Sequence, residues 1–290
     1  MDRKTSMRTQ ADLSMLVVAF IWGAAFVVVK NALADIGPFL FLGIRFTLAW
    51  LVLAALSYRD MLTIKLSTIK AGWLLGFFLF IGYAFQTLGL KYTTSSNAGF
   101  ITGVSVVLVP VFYALLNRRM PPARTILVVF LAAVGLFLLS VPWGSFGLSY
   151  GDFLVLIGAF GFALHIVYVD IHSHQHNAIA ITGIQVLFVG LVCLGLGLLL
   201  EPVPVRLTYN AAFALIFTAV FATALAFLAQ NYLQQFSNPT DFAIVLASEP
   251  VFAALAGYLW AGERLSDQAL AGAGLILAAM LLAIVLKKRV

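Results

Sequence analysis

Two ionisable residues lie inside long apolar stretches of the sequence, where a charge is costly. Arg45 lies in the stretch 38–57, and Glu249 lies near the middle of the stretch 241–260. Within a membrane such residues mark ligand pathways or proton relays unless a structural role explains them. Glu249 could bind an amine or take up a proton, because desolvation disfavours its charged form. It could also satisfy backbone groups that the following Pro250 leaves free.

Arg45 could bind a carboxylate or pair with Glu249, since it is too deep in its stretch to reach the surface easily. Other polar and aromatic residues recur at helical spacing in the neighbouring stretches. They could line a water-filled cavity or only bond one helix to the next. The candidate substrate-binding residues are Trp22, Arg45, Tyr83, Gln86, Asn97, Thr102, His165, Tyr168, Gln185, Gln230, Asn231 and Glu249. His165 and Glu249 are also the candidates for proton coupling.

Histidines cluster at one further place, and their spacing invites a metal. His172, His174 and His176 follow Asp170, and alternating histidines can hold a transition metal. Since no cysteine or second group of ligands lies nearby in the sequence, we expect a solvated loop and no metal. We also expect no cofactor and no catalytic residue, because no second acid accompanies Glu249 within the apolar stretches.

Membrane-spanning helices must position these residues. The chain of 290 residues is 63% hydrophobic and 10% charged, with a mean hydropathy of +1.06, which excludes a soluble domain. A helix needs about 20 apolar residues to cross a bilayer. The ten stretches that qualify are 12–30, 38–57, 71–90, 97–116, 124–141, 151–170, 178–200, 211–232, 241–260 and 267–286. The net charge of +6 comes from short loops and tails, which indicates contact with the lipid bilayer and not with nucleic acid.

The distribution of Lys and Arg predicts the orientation of these spans. Twelve lie on the side of the N-terminus, from Arg3 to Arg289, and four lie on the opposite side, namely Lys30, Lys91, Arg206 and Arg264. Positive residues concentrate on the cytoplasmic side of membrane proteins. We therefore expect both termini in the cytoplasm.

The same pattern occurs twice along the chain. Gly43-Ile44-Arg45 corresponds to Gly183-Ile184-Gln185 at an offset of 140, and Leu90-Lys91-Tyr92 to Gln234-Gln235-Phe236 at an offset of 144. The charged residues are not repeated, since Arg45 is aligned with Gln185 and Glu249 is aligned with Val109. Five spans per copy is an odd number, so the two copies lie upside down relative to each other, as is typical of secondary transporters. The predicted units are a first repeat (1–141), a connecting loop (142–150) and a second repeat (151–290).

Five segments resemble the EamA family of the drug/metabolite transporter superfamily. Ser248 to Leu255, Ala261 to Ser266 and Gly272 to Ala278 are similar to the end of the family's sequence, and Ala19 to Gly23 and Gly89 to Ala98 are similar to its first and fourth spans. The resemblance implies an all-α polytopic membrane protein of ten transmembrane helices in two inverted five-helix repeats. It also implies a central cavity lined by spans one to four and six to nine. The activity that it implies is export of small metabolites or amino acids across the bacterial inner membrane.

The expected function is that of a secondary transporter that moves a small amphipathic metabolite by alternating access. The alternative is a proton-coupled exporter of cations or drugs that uses Glu249. A membrane-embedded enzyme or a channel is a remote alternative. We expect a small-molecule substrate and the bilayer as partners. Monomer and homodimer both remain open, because the glycine-bearing spans five and ten could pack against a second copy.

Overall fold

The computed structural model describes residues 3–56, 64–118, 120–140, 149–237, 239–262, 264 and 266–287, with side chains from Leu13 to Leu282 except at 139, 140 and 280. Most of the predicted connecting loop, 142–148, lies outside the described residues, as do Arg59, Arg119, Lys288 and Arg289 of the predicted orientation. The described residues form helices, turns and loops, without strands.

Thirteen α-helices occur in the described part of the chain: α1 (Arg3–Ala32), α2 (Pro38–Leu56), α3 (Leu66–Leu90), α4 (Ser95–Gly103), α5 (Ser105–Asn117), α6 (Ala123–Ser140), α7 (Tyr150–Ser173), α8 (Ala178–Leu200), α9 (Tyr209–Ala219), α10 (Ala226–Leu233), α11 (Pro239–Leu246), α12 (Glu249–Trp260) and α13 (Asp267–Lys287). A π-helical turn, Val220–Leu225, joins α9 to α10, and a 3₁₀ turn, Gln234–Phe236, follows α10.

These helices confirm the predicted membrane spans. Eight segments of the described chain are long and apolar enough to cross a bilayer, and α6 and α13 add two shorter apolar stretches, Ala123–Leu138 and Asp267–Ala279. Three of the spans consist of more than one helix. Span four is α4 with α5, span eight is α9 with the π turn and α10, and span nine is α11 with α12.

The interruptions in spans four and nine meet in the structure. Span four is interrupted at Val104, and span nine at Ala247 and Ser248. Pro250 suits the start of α12, where a missing backbone N–H costs nothing. A Cβ added to Gly103 would lie 2.8 Å from the Pro250 side chain, so only glycine lets the two interruptions approach this closely.

Helices from the two halves of the sequence pack into one core. The most extensive contacts join α3 to α7, α2 to α8 and α6 to α13. Gly135 of α6 lies against Ile276 and the Gly272 carbonyl of α13. Of the glycines in spans five and ten that could pack against a second copy, Gly135 is therefore covered by the chain itself, whereas a Cβ on Gly274 would have nothing within 4 Å.

Polar contacts join the two halves on the side opposite the N-terminus. Both oxygens of the Glu201 carboxylate accept hydrogen bonds from the start of α2, at 2.9 Å from the Phe39 nitrogen and 2.8 Å from the Leu40 nitrogen. These are two of the amide groups that a helix start leaves without an internal partner. A residue after α8 thus caps a helix of the first half.

Candidate functional site

A cavity lies between the two halves of the chain and contains about 770 Å³ of empty space, including the part that opens to solvent. Its walls come from spans one, two, three, four, six, eight and nine. The family resemblance also implied span seven, but no described residue of α8 lines the cavity.

Eight of the twelve candidate residues line this cavity. They come from seven different spans, so the fold brings together residues that are far apart in the sequence. These eight are Trp22, Arg45, Tyr83, Gln86, Thr102, His165, Gln230 and Glu249.

Asn97 and Tyr168 lie outside the cavity. The backbone nitrogen of Asn97 donates to the Thr94 hydroxyl at 3.0 Å, in the first turn of α4. Tyr168 lies one turn beyond the cavity on α7, stacked between Phe78 and His172 at ring distances of 5.0 and 6.5 Å. Both residues are half-buried, and neither belongs to the wall of this cavity.

Gln185 and Asn231 also lie behind the cavity wall and are fully buried. The Gln185 side-chain oxygen is 2.7 Å from Nε2 of His165, so it supports a cavity residue without reaching the cavity. The Asn231 amide donates to the Phe227 carbonyl of its own helix at 2.8 Å. Each side chain therefore has one internal partner, while Nε2 of Gln185 and Oδ1 of Asn231 are buried without a hydrogen-bond partner among the described residues.

Arg45 is 3% exposed and is held by residues of both halves. Its Nε donates to the Thr223 hydroxyl at 2.7 Å, and its Nη2 lies 3.3 Å from the Ala222 carbonyl and 3.5 Å from the Tyr83 hydroxyl. The guanidinium also lies over two aromatic rings, 4.8 Å from the centre of Tyr83 and 5.4 Å from that of Phe46. Two of its three nitrogens are therefore engaged in joining α2 and α3 to span eight.

The π turn of span eight provides the acceptors for this contact. A π turn displaces carbonyls from the regular pairing of an α-helix and often marks a functional site. The Ala222 carbonyl accepts from Nε1 of Trp22 at 2.8 Å as well as from Arg45. Side chains of α1 and α2 thus meet on one carbonyl of the second half. The sequence Val220–Leu225 contains no proline or glycine, so its composition does not predict the π turn.

Glu249 is the first residue of α12 and is half-buried at the cavity. The positive end of the helix dipole favours a carboxylate at this position. In the described part of the chain no ion pair joins Glu249 to Arg45, whose donors go to Thr223, Ala222 and Tyr83. The expected pairing of the two charges is therefore not present in this structure.

Ser105 occupies the corresponding position in the first half, because it begins α5 after the interruption of span four. It also lines the cavity. The sequence offset of 140 aligned Glu249 with Val109, whereas the helix starts align it with Ser105. Both half-helices begin at the cavity, one with a carboxylate and one with a hydroxyl.

Aromatic rings form much of the wall, and three of them were not candidates from the sequence. Phe26, Phe162 and Phe227 line the cavity. The Phe227 ring centre lies 5.4 Å from that of Trp22 and 5.9 Å from that of Tyr83. A signal existed, since Phe162 occupies the repeat position of Trp22 and Phe227 shares a helical face with Gln230. Phenylalanine is too common in membrane spans for this signal to stand out.

The predicted histidine cluster is remote from the cavity. Nδ1 of His176 is 3.0 Å from the Thr68 hydroxyl, and the rings of His172 and His176 lie 6.1 Å apart. Among the described residues, no three His, Cys, Asp or Glu side chains are grouped in a way that could hold a metal.

Other proteins share this sequence over most of its length. A protein of Archaeoglobus fulgidus described as an uncharacterized transporter is 34% identical over 275 residues, 95% of this chain and 86% of that protein. The uncharacterized transporter YoaV of Bacillus subtilis is 24% identical over 279 residues, 91% of this chain and 93% of that protein. A chloroplastic WAT1-related protein of Arabidopsis thaliana is 26% identical over 284 residues, 91% of this chain and 66% of that protein.

The fold is shared as well. A protein of known crystal structure that is 17% identical superposes with a TM-score of 0.79, over 97% of this chain and 98% of the other. The sequence profile of the EamA-like transporter family matches the chain twice, over residues 9–141 and 149–285. This polytopic, all-helical membrane protein belongs to the EamA-like transporter family.

Proposed function

We propose that the protein is a secondary transporter that exports a small amphipathic metabolite with an amine group, such as an amino acid or a related compound, across the bacterial cytoplasmic membrane. The observation that carries this proposal is Glu249, a carboxylate that lines the central cavity beside aromatic rings. In the described chain no cation is paired with it. An ammonium group would supply the missing charge, and the rings would stabilise it further.

The cavity limits the size of this solute. Its empty space of about 770 Å³ includes the part that opens to solvent, so the enclosed part is smaller than this. That suits an amino-acid-sized compound better than a large drug. Gln86, Thr102 and Gln230 add polar groups to the wall, which favours a solute with further hydrogen-bonding groups.

Alternating access suits the architecture of spans four and nine. Discontinuous helices that meet at a binding site are a recurrent feature of transporters that rock around a fixed site. Here α5 and α12 both start at the cavity. We expect the solute to bind between these starts and to be exposed on one side of the membrane at a time. The predicted repeats, 1–141 and 151–290, would contribute one interrupted span each.

Transport in proteoliposomes with Glu249→Gln tests the proposal. Loss of a charge-assisted hydrogen bond of about 1.5 to 3 kcal/mol should weaken amine-bearing solutes by roughly 10- to 100-fold. Asp267→Asn is the matched control, because Asp267 is an exposed carboxylate in the first turn of α13 that does not line the cavity, and this variant should transport normally. Unchanged affinity of Glu249→Gln for every amine that the parent transports would contradict the proposal.

A second candidate function is proton-coupled export of a cation. It is favoured by the fact that Glu249 is the one carboxylate, and His165 the one imidazole, among the described residues that line the cavity. The same experiment separates the two functions. If export by the parent depends on a pH gradient and export by Glu249→Gln does not, Glu249 couples transport to protons.

A further inference from the structure

Two clefts flank His176 on the N-terminal side of the membrane, away from the central cavity. The first, with about 810 Å³ of empty space including the part that opens to solvent, lies between the start of α3 and the end of α7, and its lining includes Lys70, Leu74 and His172. The second, with about 1060 Å³ of empty space including the part that opens to solvent, lies between the start of α8 and span eight. His176 belongs to both, so the two clefts meet at its ring.

The first cleft has the chemistry of an anion site. Lys70, His172 and His176 line it, and no carboxylate lines either cleft. Nδ1 of His172 is buried without a hydrogen-bond partner among the described residues. Nδ1 of His176 is bonded to the Thr68 hydroxyl, and when that hydroxyl donates, the ring proton lies on Nε2, which becomes a free donor. The Lys70 ammonium thus lies in one cleft with two imidazoles, and no carboxylate lines this cleft.

The second cleft has the chemistry of an acyl-chain groove. Leu225, Leu228 and Tyr232 line it along span eight, and Gln235 lies at its outer end. From Gln235 to Leu225 the groove descends about 15 Å towards the middle of the membrane, at 1.5 Å per residue. Leu225 is 42% exposed and Tyr232 is 53% exposed. The groove therefore offers an apolar path that starts beside the charged cleft.

We propose that an anionic phospholipid binds at His176, with its headgroup in the first cleft and one acyl chain in the second. Its phosphate lies between Lys70 and the imidazoles, and one acyl chain follows Leu225, Leu228 and Tyr232 into the membrane. Basic pockets between membrane helices are known to hold anionic headgroups, and the joined apolar groove distinguishes a lipid from a free phosphate. Because Lys70 belongs to α3 and the groove to α8 and span eight, the lipid joins helices of both halves.

Thermal unfolding of the purified full-length protein in a neutral detergent tests this site, because a ligand that binds only the folded state raises the unfolding midpoint. Dioleoyl phosphatidylglycerol should raise the midpoint by roughly 3 °C more than dioleoyl phosphatidylcholine at the same mole ratio. Lys70→Gln should remove at least half of this difference, and Lys70→Gln combined with His176→Gln should remove it entirely. Lys70 is exposed, so its substitution leaves the fold intact.

Lys65→Gln is the matched control, since Lys65 is an exposed lysine just before α3 that lines neither cleft. It should keep the full phosphatidylglycerol effect. Equal effects of the two lipids on the parent, or an equal loss in Lys65→Gln and Lys70→Gln, would overturn the proposal. A full effect from inorganic phosphate or from dihexanoyl phosphatidylglycerol would show an anion site without a chain groove, and would also overturn it.

Discussion

Arg45 illustrates how a buried charge can have its partners inside the protein. It lies at the cavity wall, yet Nε and Nη2 bind Thr223, Ala222 and Tyr83. A buried cation with such partners is retained because removing it leaves the partners unsatisfied. These contacts favour a structural role for Arg45, in which it holds α2 against span eight. They favour it more than direct contact with a carboxylate of the solute.

Arg45→Ala should consequently impair the fold more than the selectivity. It removes the donor of the buried Thr223 hydroxyl, at about 1 to 3 kcal/mol, and one of the two donors of the Ala222 carbonyl, which keeps its hydrogen bond from Trp22. We expect the thermal unfolding midpoint to fall by roughly 4 °C or more, and transport to fall alike for amines and zwitterions. Gln185→Ala, at the repeat counterpart, removes one side-chain contact and should cost less. A selective loss of carboxylate-bearing solutes in Arg45→Ala, with a normal midpoint, would make Arg45 a substrate ligand instead.

Residue spacing predicted helical faces well and depth poorly. His165 and Tyr168 share a face of α7, but His165 reaches the cavity and Tyr168 stacks on Phe78 one turn away. Gln185 is the repeat counterpart of Arg45, but it supports His165 from behind. Periodicity specifies the direction of a side chain on its own helix. The neighbouring helix that meets it depends on the tertiary packing, which one sequence does not reveal.

Among the elements, the π turn at Val220–Leu225 has the clearest consequence for the site. The sequence indicates it only indirectly. The offset between the two copies is 140 where Gly43 is aligned with Gly183 and 144 where Leu90 is aligned with Gln234, so the second copy has four more residues in between. An offset counts inserted residues without saying whether they lie in a loop or in a helix. The π turn uses its extra residue to present the Ala222 carbonyl to Trp22 and Arg45.

Deletion of Ala224 should convert this turn towards a regular α-helix. Without the extra residue the segment can pair as an α-helix, so the Ala222 carbonyl returns to its own helix and no longer accepts from Trp22 and Arg45. We expect normal helical content by circular dichroism and a loss of transport of roughly tenfold or more. The control is deletion of Val205, which is 99% exposed in the loop after α8 and should leave transport unchanged. Transport that survives deletion of Ala224 would show that the π turn is dispensable.

For the whole molecule, composition and hydropathy predicted the number and approximate bounds of the spans. They missed the interruptions at Val104 and at Ala247, since a break of one or two residues leaves the hydropathy of a span unchanged. The predicted span 71–90 begins earlier in the structure, at Leu66, because Lys70 and Ser67 lowered the local hydropathy. A helix tolerates such residues at the membrane surface, where long polar side chains reach water.

Labelling with a membrane-impermeant thiol reagent checks the proposed orientation. Lys65 and Lys91 are exposed at opposite ends of α3. If both termini are cytoplasmic, the Lys91→Cys variant should be labelled in intact cells and the Lys65→Cys variant only after the cells are permeabilised. The native Cys193 is fully buried, so the parent provides a low background. Labelling of Lys65→Cys in intact cells would reverse the orientation.

The glycine contacts between α3 and α7 restrict how this molecule can move. A Cβ on Gly161 would lie 2.6 Å from the Gly82 nitrogen, and one on Gly151 would lie 2.7 Å from the Gly89 carbonyl. Backbones this close along two helices cannot slide or separate without losing the whole contact. A helix of the first half and a helix of the second half must then travel together. The groups of helices that move as rigid bodies during transport would therefore not coincide with the two sequence repeats.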